Sequence, residues 1–192
     1  QDNPVFAYMD NNREVPVVAE FTQTGRTKTQ DQDYRITGST GHYVSLALDS
    51  ANQVHTAFHN SGINADVRYT NFDGFVFSEK VDTRDGHYTS LALRDGETPC
   101  MSFYDSDMQD LIYSCRESRS WTTRRVLHDG NMGAYSSLVF TQGDVPNILY
   151  YDGSSDSLRM MSKPTVGSWK QVDVDFDAGT GQHISATTGP DE

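Results

Sequence analysis

The chain is patterned in short runs. Apolar and aromatic residues gather in stretches of about five to seven positions, divided by clusters of Gly, Asp, Asn and Ser. The run VHTAFHN (54–60) is followed by VRYT (67–70) and FVFSEKV (75–81). PCMSFYD (99–105) is followed by LIYSC (111–115) and WTTRRVL (121–127). PNILYYD (146–152) is followed by LRMMS (158–162) and WKQVDV (169–174). No stretch carries a helical period. Runs of this length and spacing predict antiparallel meanders, with Asp and Asn opening the turns.

A fourth kind of run precedes each set. GHYVSLAL begins at Gly41, GHYTSLAL at Gly86, GAYSSLVF at Gly133 and GQHISATT at Gly181. The four glycines are 45, 47 and 48 residues apart. A period in the 40s with four strands per repeat predicts one propeller blade per repeat. The chain opens with NPVFAYMD (3–10), which matches the second strand of a blade, and closes with GQHISATT, which matches a first strand. The expectation is therefore an all-β, four-bladed propeller occupying 1–192 as one domain. Its blades fall at about 183–192 plus 1–37, 41–82, 86–128 and 133–175, and pairing of the terminal strands closes the ring and removes open edges.

Residue types fit the innermost strand. Gly41, Gly86, Gly133 and Gly181 stand where the chain turns inward and needs positive φ or close approach. Ser45, Ser90, Ser137 and Ser185 share a position where a small hydroxyl can satisfy nearby backbone. Leu46, Leu91 and Leu138 are expected to face the neighbouring blade. Tyr8, Phe58, Phe103 and Tyr150 form an expected aromatic layer between blades.

The pattern G-x-Y-x-S-L-A-L, then P-x-x-x-Y-Y-D, then L-x-Y, then W, resembles tandem repeats of secreted bacterial β-propeller proteins. It is distantly similar to sialidase-type and lectin-like propellers. It departs from them in lacking the S-x-D-x-G-x-T-W box and in having fewer blades. The resemblance implies a propeller fold and leaves the ligand open.

Composition sharpens this picture. Hydrophobic residues make up 35% and aromatics 11%, so burial relies on Tyr, Phe and Trp carried by short strands. The formal net charge of −12 argues against nucleic acid and anionic membrane surfaces as partners. No apolar stretch is long enough to span a membrane. The opening residues lack a charged n-region and apolar h-region, so any signal peptide is expected to have been removed. If Tyr104 faces Leu111 across a hairpin, the same register sets Cys100 opposite Cys115, within reach of a disulfide. That bridge predicts a secreted, periplasmic or cell-surface protein; the alternative is a pair of reduced, buried thiols.

Candidate chemistry sits in three places. His42, Tyr43, His87, Tyr88, Tyr135, Gln182 and His183 follow the glycines and are expected to ring the channel mouth as a site for a glycan, a protein surface or a metal. His55, His59 and Arg68, with His42 and Tyr43, make blade two the most polar and suggest a lyase-like constellation. Asp173, Asp175 and Asp177 alternate along one run and suggest a structural calcium or other cation, although the glycine is late and the distal Glu is missing. Asp10, Asp105 and Asp152, with Asn60, recur by symmetry, which favours turn capping over a hydrolytic pair. No G-x-S-x-G motif occurs. The favoured function is a non-catalytic binding module, lectin-like or adhesive. The competing readings are a carbohydrate-active enzyme of lyase or glycoside hydrolase type and a structural component of a surface assembly. No cofactor is implied.

Overall fold

The computed structural model describes residues 3–21, 27–31, 40–62, 64–71 and 78–189. Parts of the expected first blade (22–26, 32–39 and 190–192) and the start of the run at 75–81 lie outside the described residues. Among those described, the secondary structure is all strand, with no helix.

The strands form four antiparallel sheets, each a meander in chain order. The first holds β1 (Val5–Asp10), β2 (Val15–Phe21) and β3 (Thr27–Asp31). The second holds β4 (Thr40–Leu48), β5 (Val54–Asn60), β6 (Asp66–Asn71) and β7 (Glu79–Asp82). The third holds β8 (Gly86–Arg94), β9 (Thr98–Asp105), β10 (Asp110–Glu117) and β11 (Ser120–Leu127). The fourth holds β12 (Met132–Thr141), β13 (Val145–Asp152), β14 (Ser157–Ser162) and β15 (Lys170–Asp175).

The core lies between consecutive sheets. Phe58, Phe103 and Tyr150 occupy one repeat position and are fully buried. Val67, Tyr69, Leu91, Phe103 and Ile112 join the second sheet to the third, and Leu111, Leu138, Ile148 and Tyr150 join the third to the fourth. Fourth-strand tryptophans close each seam. Trp121 packs edge-on against Tyr69, and Trp169 against Tyr113, at centroid distances of 5.1 and 5.2 Å. Tyr8 keeps the same repeat position but is partly exposed.

Two devices set the turns. The Asp10, Asn60, Asp105 and Asp152 side chains each accept a backbone N–H two residues on. These groups are turn caps, as their symmetry suggested. At Gly133, φ is 112° and an added Cβ would lie 2.9 Å from the Leu111 Cα, so the chain enters its inner strand only as glycine.

Inner strands of neighbouring sheets are tied by serines. Ser45 Oγ accepts the N–H of Leu91, Ser90 Oγ that of Leu138, and Ser137 Oγ that of Ala186, at 2.9 to 3.0 Å. Residues 181–189 lie beside β12 as the next inner segment, and among the described residues no ladder joins them to β1, whose strand partner is β2. The serine tie places this segment against its predecessor but supplies no hydrogen bonds to pair it with the first sheet.

The β9–β10 register pairs Tyr104 with Leu111 and Cys100 with Cys115. The cysteines form the disulfide across this pair, with Cα atoms 4.1 Å apart. Both are buried.

Two outcomes follow. Ser90→Ala leaves the Leu138 N–H without its acceptor and should cost about 1–3 kcal/mol by urea denaturation. Ser120→Ala, on an exposed edge, should stay within about 0.5 kcal/mol of wild type. The bridge closes a loop of 15 residues. Replacing both Cys100 and Cys115 by Ser should lower stability by roughly 3 kcal/mol, and an unchanged denaturation midpoint would contradict a stabilising role for the bridge.

Candidate functional site at the aromatic mouth

The second residue after each inner-strand glycine has left-handed backbone. Tyr43, Tyr88, Tyr135 and His183 have φ of 53°, 55°, 55° and 56°. The ladders shift register at this point in β4, β8 and β12, so each inner strand bulges here. A non-glycine residue in this region costs about 1–2 kcal/mol.

The bulge turns four rings into one row. Centroids are 4.7 Å apart for Tyr43 and Tyr88, 4.3 Å for Tyr88 and Tyr135, and 4.8 Å for Tyr135 and His183. Each contact contributes about 0.5–1.5 kcal/mol, which by itself only roughly offsets the strain. Hydrogen bonds to the carbonyls of the bulge add to it. Thr89 Oγ1 donates to the Tyr43 carbonyl, and Ser136 Oγ donates to that of Tyr88 at 3.1 Å. Tyr43 and His183, at the ends of the row, are exposed. A shallow hollow of about 210 Å³ is lined by the four rings and by Val44, Thr89, Ser136 and Ile184.

The residue before each of the three tyrosines faces the second strand of its own sheet. His42 pairs with His59 and His87 with Tyr104. Gln182 is exposed. Ring contacts join His42 to His59 (6.3 Å), His59 to His87 (4.8 Å) and Tyr43 to His87 (5.0 Å). Asp85 completes this corner, with Oδ1 2.6 Å from His59 Nε2 and 3.3 Å from His87 Nε2. Sequence reasoning missed Asp85. It directly precedes Gly86, where the other repeats carry Thr40, Met132 and Thr180, so the break in the repeat was its only signal.

Electrostatics at this corner are governed by burial. Burial pushes the His59 imidazole below its ordinary value, and the pull of Asp85 in the other direction does not overcome it. For Asp85, burial raises the carboxyl, but the Ser106 hydrogen bond and the two histidines outweigh it and hold it low. Burial, then Tyr135 and Asp85, raises the Tyr43 phenol. Burial, then Tyr135, raises Tyr88 further.

The lyase-like constellation is only partly assembled. His59 joins His42 and Tyr43. His55 stands four residues along β5, about 13 Å away, with Nδ1 2.6 Å from the Tyr69 hydroxyl and Nε2 3.3 Å from Asp49. Arg68 is held by the buried Asp66 through two 2.8 Å bonds.

Among the described residues, Asp173, Asp175 and Asp177, where a cation was expected, do not form a converging group of ligand atoms. Asp173 Oδ1 lies 3.4 Å from Arg159, and Asp175 accepts the N–H of Asp177 at 3.0 Å. Asp173 and Asp175 alternate along β15, and Asp177 lies beyond its end. Among the described residues, the metal-ligand atoms that converge in a group of three are those of His59, Asp85 and His87. No described helix is long and apolar enough to cross a membrane.

Raised phenols make the fold alkali-sensitive. Tyrosines of the unfolded chain ionise near pH 10, whereas Tyr43 and Tyr88 stay protonated longer when folded. Their contribution is therefore complete below about pH 10 and falls as pH rises through the folded values. Urea midpoints should drop steeply above that pH, and less steeply in Tyr88→Phe. Identical slopes would contradict the assignment.

No protein-family profile and no curated protein sequence matches this chain. Solved structures do. AofleA from Arthrobotrys oligospora superposes with a TM-score of 0.63 at 14% identity, over 93% of this chain and 55% of that one. A triple arginine-to-alanine variant of AofleA gives 0.55 at 12%, over 93% and 59%. An endo-1,4-beta-xylanase from Bacteroides thetaiotaomicron gives 0.53 at 7%, over 93% and 78%. The chain thus spans little more than half the length of AofleA, and the likeness is one of fold.

Proposed function

We propose that the four sheets are consecutive blades of a β-propeller, and that the aromatic row at its mouth is the binding face of a secreted, non-catalytic, lectin-like module for neutral glycans. The row itself carries this reading. Four rings are held in contact at a strained backbone conformation, open at both ends, around a shallow hollow. Strain of this kind gathers at binding sites, where surrounding structure sustains it.

Sugar C–H faces pack on aromatic rings, and phenol, imidazole and hydroxyl groups exchange hydrogen bonds with sugar hydroxyls. A hollow of about 210 Å³ is smaller than the roughly 300–1,000 Å³ of drug-sized pockets. It suits one sugar unit or a chain end. The net charge of −12 repels acidic glycans at long range. The Cys100–Cys115 bridge supports an oxidising, extracellular setting. Asp10, Asp105 and Asp152, the repeated carboxylates, are engaged as turn caps, which supports binding over hydrolysis.

A neutral-glycan array with the intact protein tests this. Tyr88 contacts its two neighbours in the row, Tyr43 and Tyr135, so Tyr88→Ala should weaken binding about tenfold or more, equivalent to about 1.4 kcal/mol. Absence of any glycan signal at high protein concentration, or equal binding by Tyr88→Ala, would overturn the proposal.

A further inference from the structure

The corner formed by His59, Asp85 and His87 offers three metal-ligating atoms that all lie within 4.8 Å of one another. Two imidazole nitrogens and one carboxylate oxygen are the donor set of open zinc sites, which use three protein ligands and leave a fourth position for water or a ligand. Ligand atoms around a tetrahedral zinc lie about 3.3 Å apart, given bonds of about 2.0 Å. The His87 Nε2 to Asp85 Oδ1 separation is 3.3 Å.

A second observation concerns His59 alone. It is 3% exposed, and its Nδ1 has no hydrogen-bond partner. Its Nε2 approaches Asp85 Oδ1 at 2.6 Å. Two ligands of one zinc ion stand about 3.3 Å apart, so this pair opens slightly when an ion enters between them. A buried imidazole nitrogen left unmatched is costly unless something occupies that direction.

The next seam shows how the same corner looks when it is purely structural. The Ser106 N–H donates to the Asp85 carbonyl at 3.0 Å, and the Gly153 N–H donates to that of Asn131 at 2.7 Å, so Asn131, one residue before the sequence match Met132, takes the structural place of Asp85. There His59 is replaced by Tyr104 and His87 by Ala134. Tyr104 simply donates to Asn131 Oδ1 at 2.7 Å. Three positions differ at the seam between the second and third sheets, and all three carry groups able to ligate a metal. The carboxylate is also oriented from behind. Ser106 Oγ donates to Asp85 Oδ2 at 2.6 Å and turns Oδ1 toward the histidines, as outer-shell partners do around metals.

We propose that His59, Asp85 and His87 bind one divalent transition ion of the zinc class, with an open coordination position beside Tyr43. The donor set favours zinc over calcium, which takes oxygen ligands in larger number. The site stands on its own geometry and does not depend on glycan binding.

The test uses untagged, chelator-treated protein titrated with Zn²⁺ and, separately, Ca²⁺ by calorimetry, with Co²⁺ absorption as a geometric readout. Saturable uptake of one Zn²⁺ per chain is expected, with four-coordinate Co²⁺ bands and no matching Ca²⁺ uptake. Asp85→Asn and His87→Gln, whose circular dichroism should match wild type, should each weaken Zn²⁺ by about tenfold or more. His128→Ala, at an exposed histidine elsewhere, should bind as wild type does. Lack of saturable Zn²⁺ binding by the wild-type protein would overturn the proposal, as would uptake that persists unchanged in both ligand variants. A missing glycan signal would leave these readings intact, so the two proposals fail separately.

Discussion

A side-chain hydroxyl accepting a neighbour's backbone N–H is the contact on which this architecture depends. The inner strands of adjacent sheets do not share a ladder, so the amides facing across the seam need another acceptor. Ser45, Ser90 and Ser137 provide it for Leu91, Leu138 and Ala186. A larger residue would force the strands apart, and a residue without oxygen would strand a donor. Repetition of one small polar residue fixes the distance and phase between successive sheets.

That spacing produces the site. With inner strands locked in phase, the bulge before each serine brings successive rings to 4.3–4.8 Å. The left-handed backbone at Tyr43, Tyr88 and Tyr135 would be unfavourable in isolation. It persists because ring contact, the carbonyl bonds from Thr89 and Ser136, and the serine ties act on the same few residues. The row is therefore a consequence of how the sheets are joined, and it extends from Tyr43 to His183.

Departures from the repeat mark where local chemistry changes. The seam between the second and third sheets places His59, Asp85 and His87 where its neighbour holds Tyr104, Asn131 and Ala134. The scaffold tolerates the exchange because the backbone bonds around the corner are the same in both seams. Symmetric positions carry the structure and asymmetric ones are free to carry function.

Much of this was written in the chain. Short apolar and aromatic runs with Gly, Asp and Asn between them settle strand and turn, because these preferences are local. The hairpin register of PCMSFYD and LIYSC brought Cys100 opposite Cys115, because pairing across a short turn follows from counting. The repeated serine was visible, as was the turn-capping role of Asp105. The tertiary structure alone decided the rest. Whether 181–189 pairs with β1 or follows β12, whether Asp173, Asp175 and Asp177 converge, and that Asp85 meets two histidines from other strands all depend on distances between segments far apart in sequence. Pattern and propensity act over a few neighbouring residues. Such distances are set only when whole sheets pack, through side-chain volumes and hydrogen bonds that no local run contains.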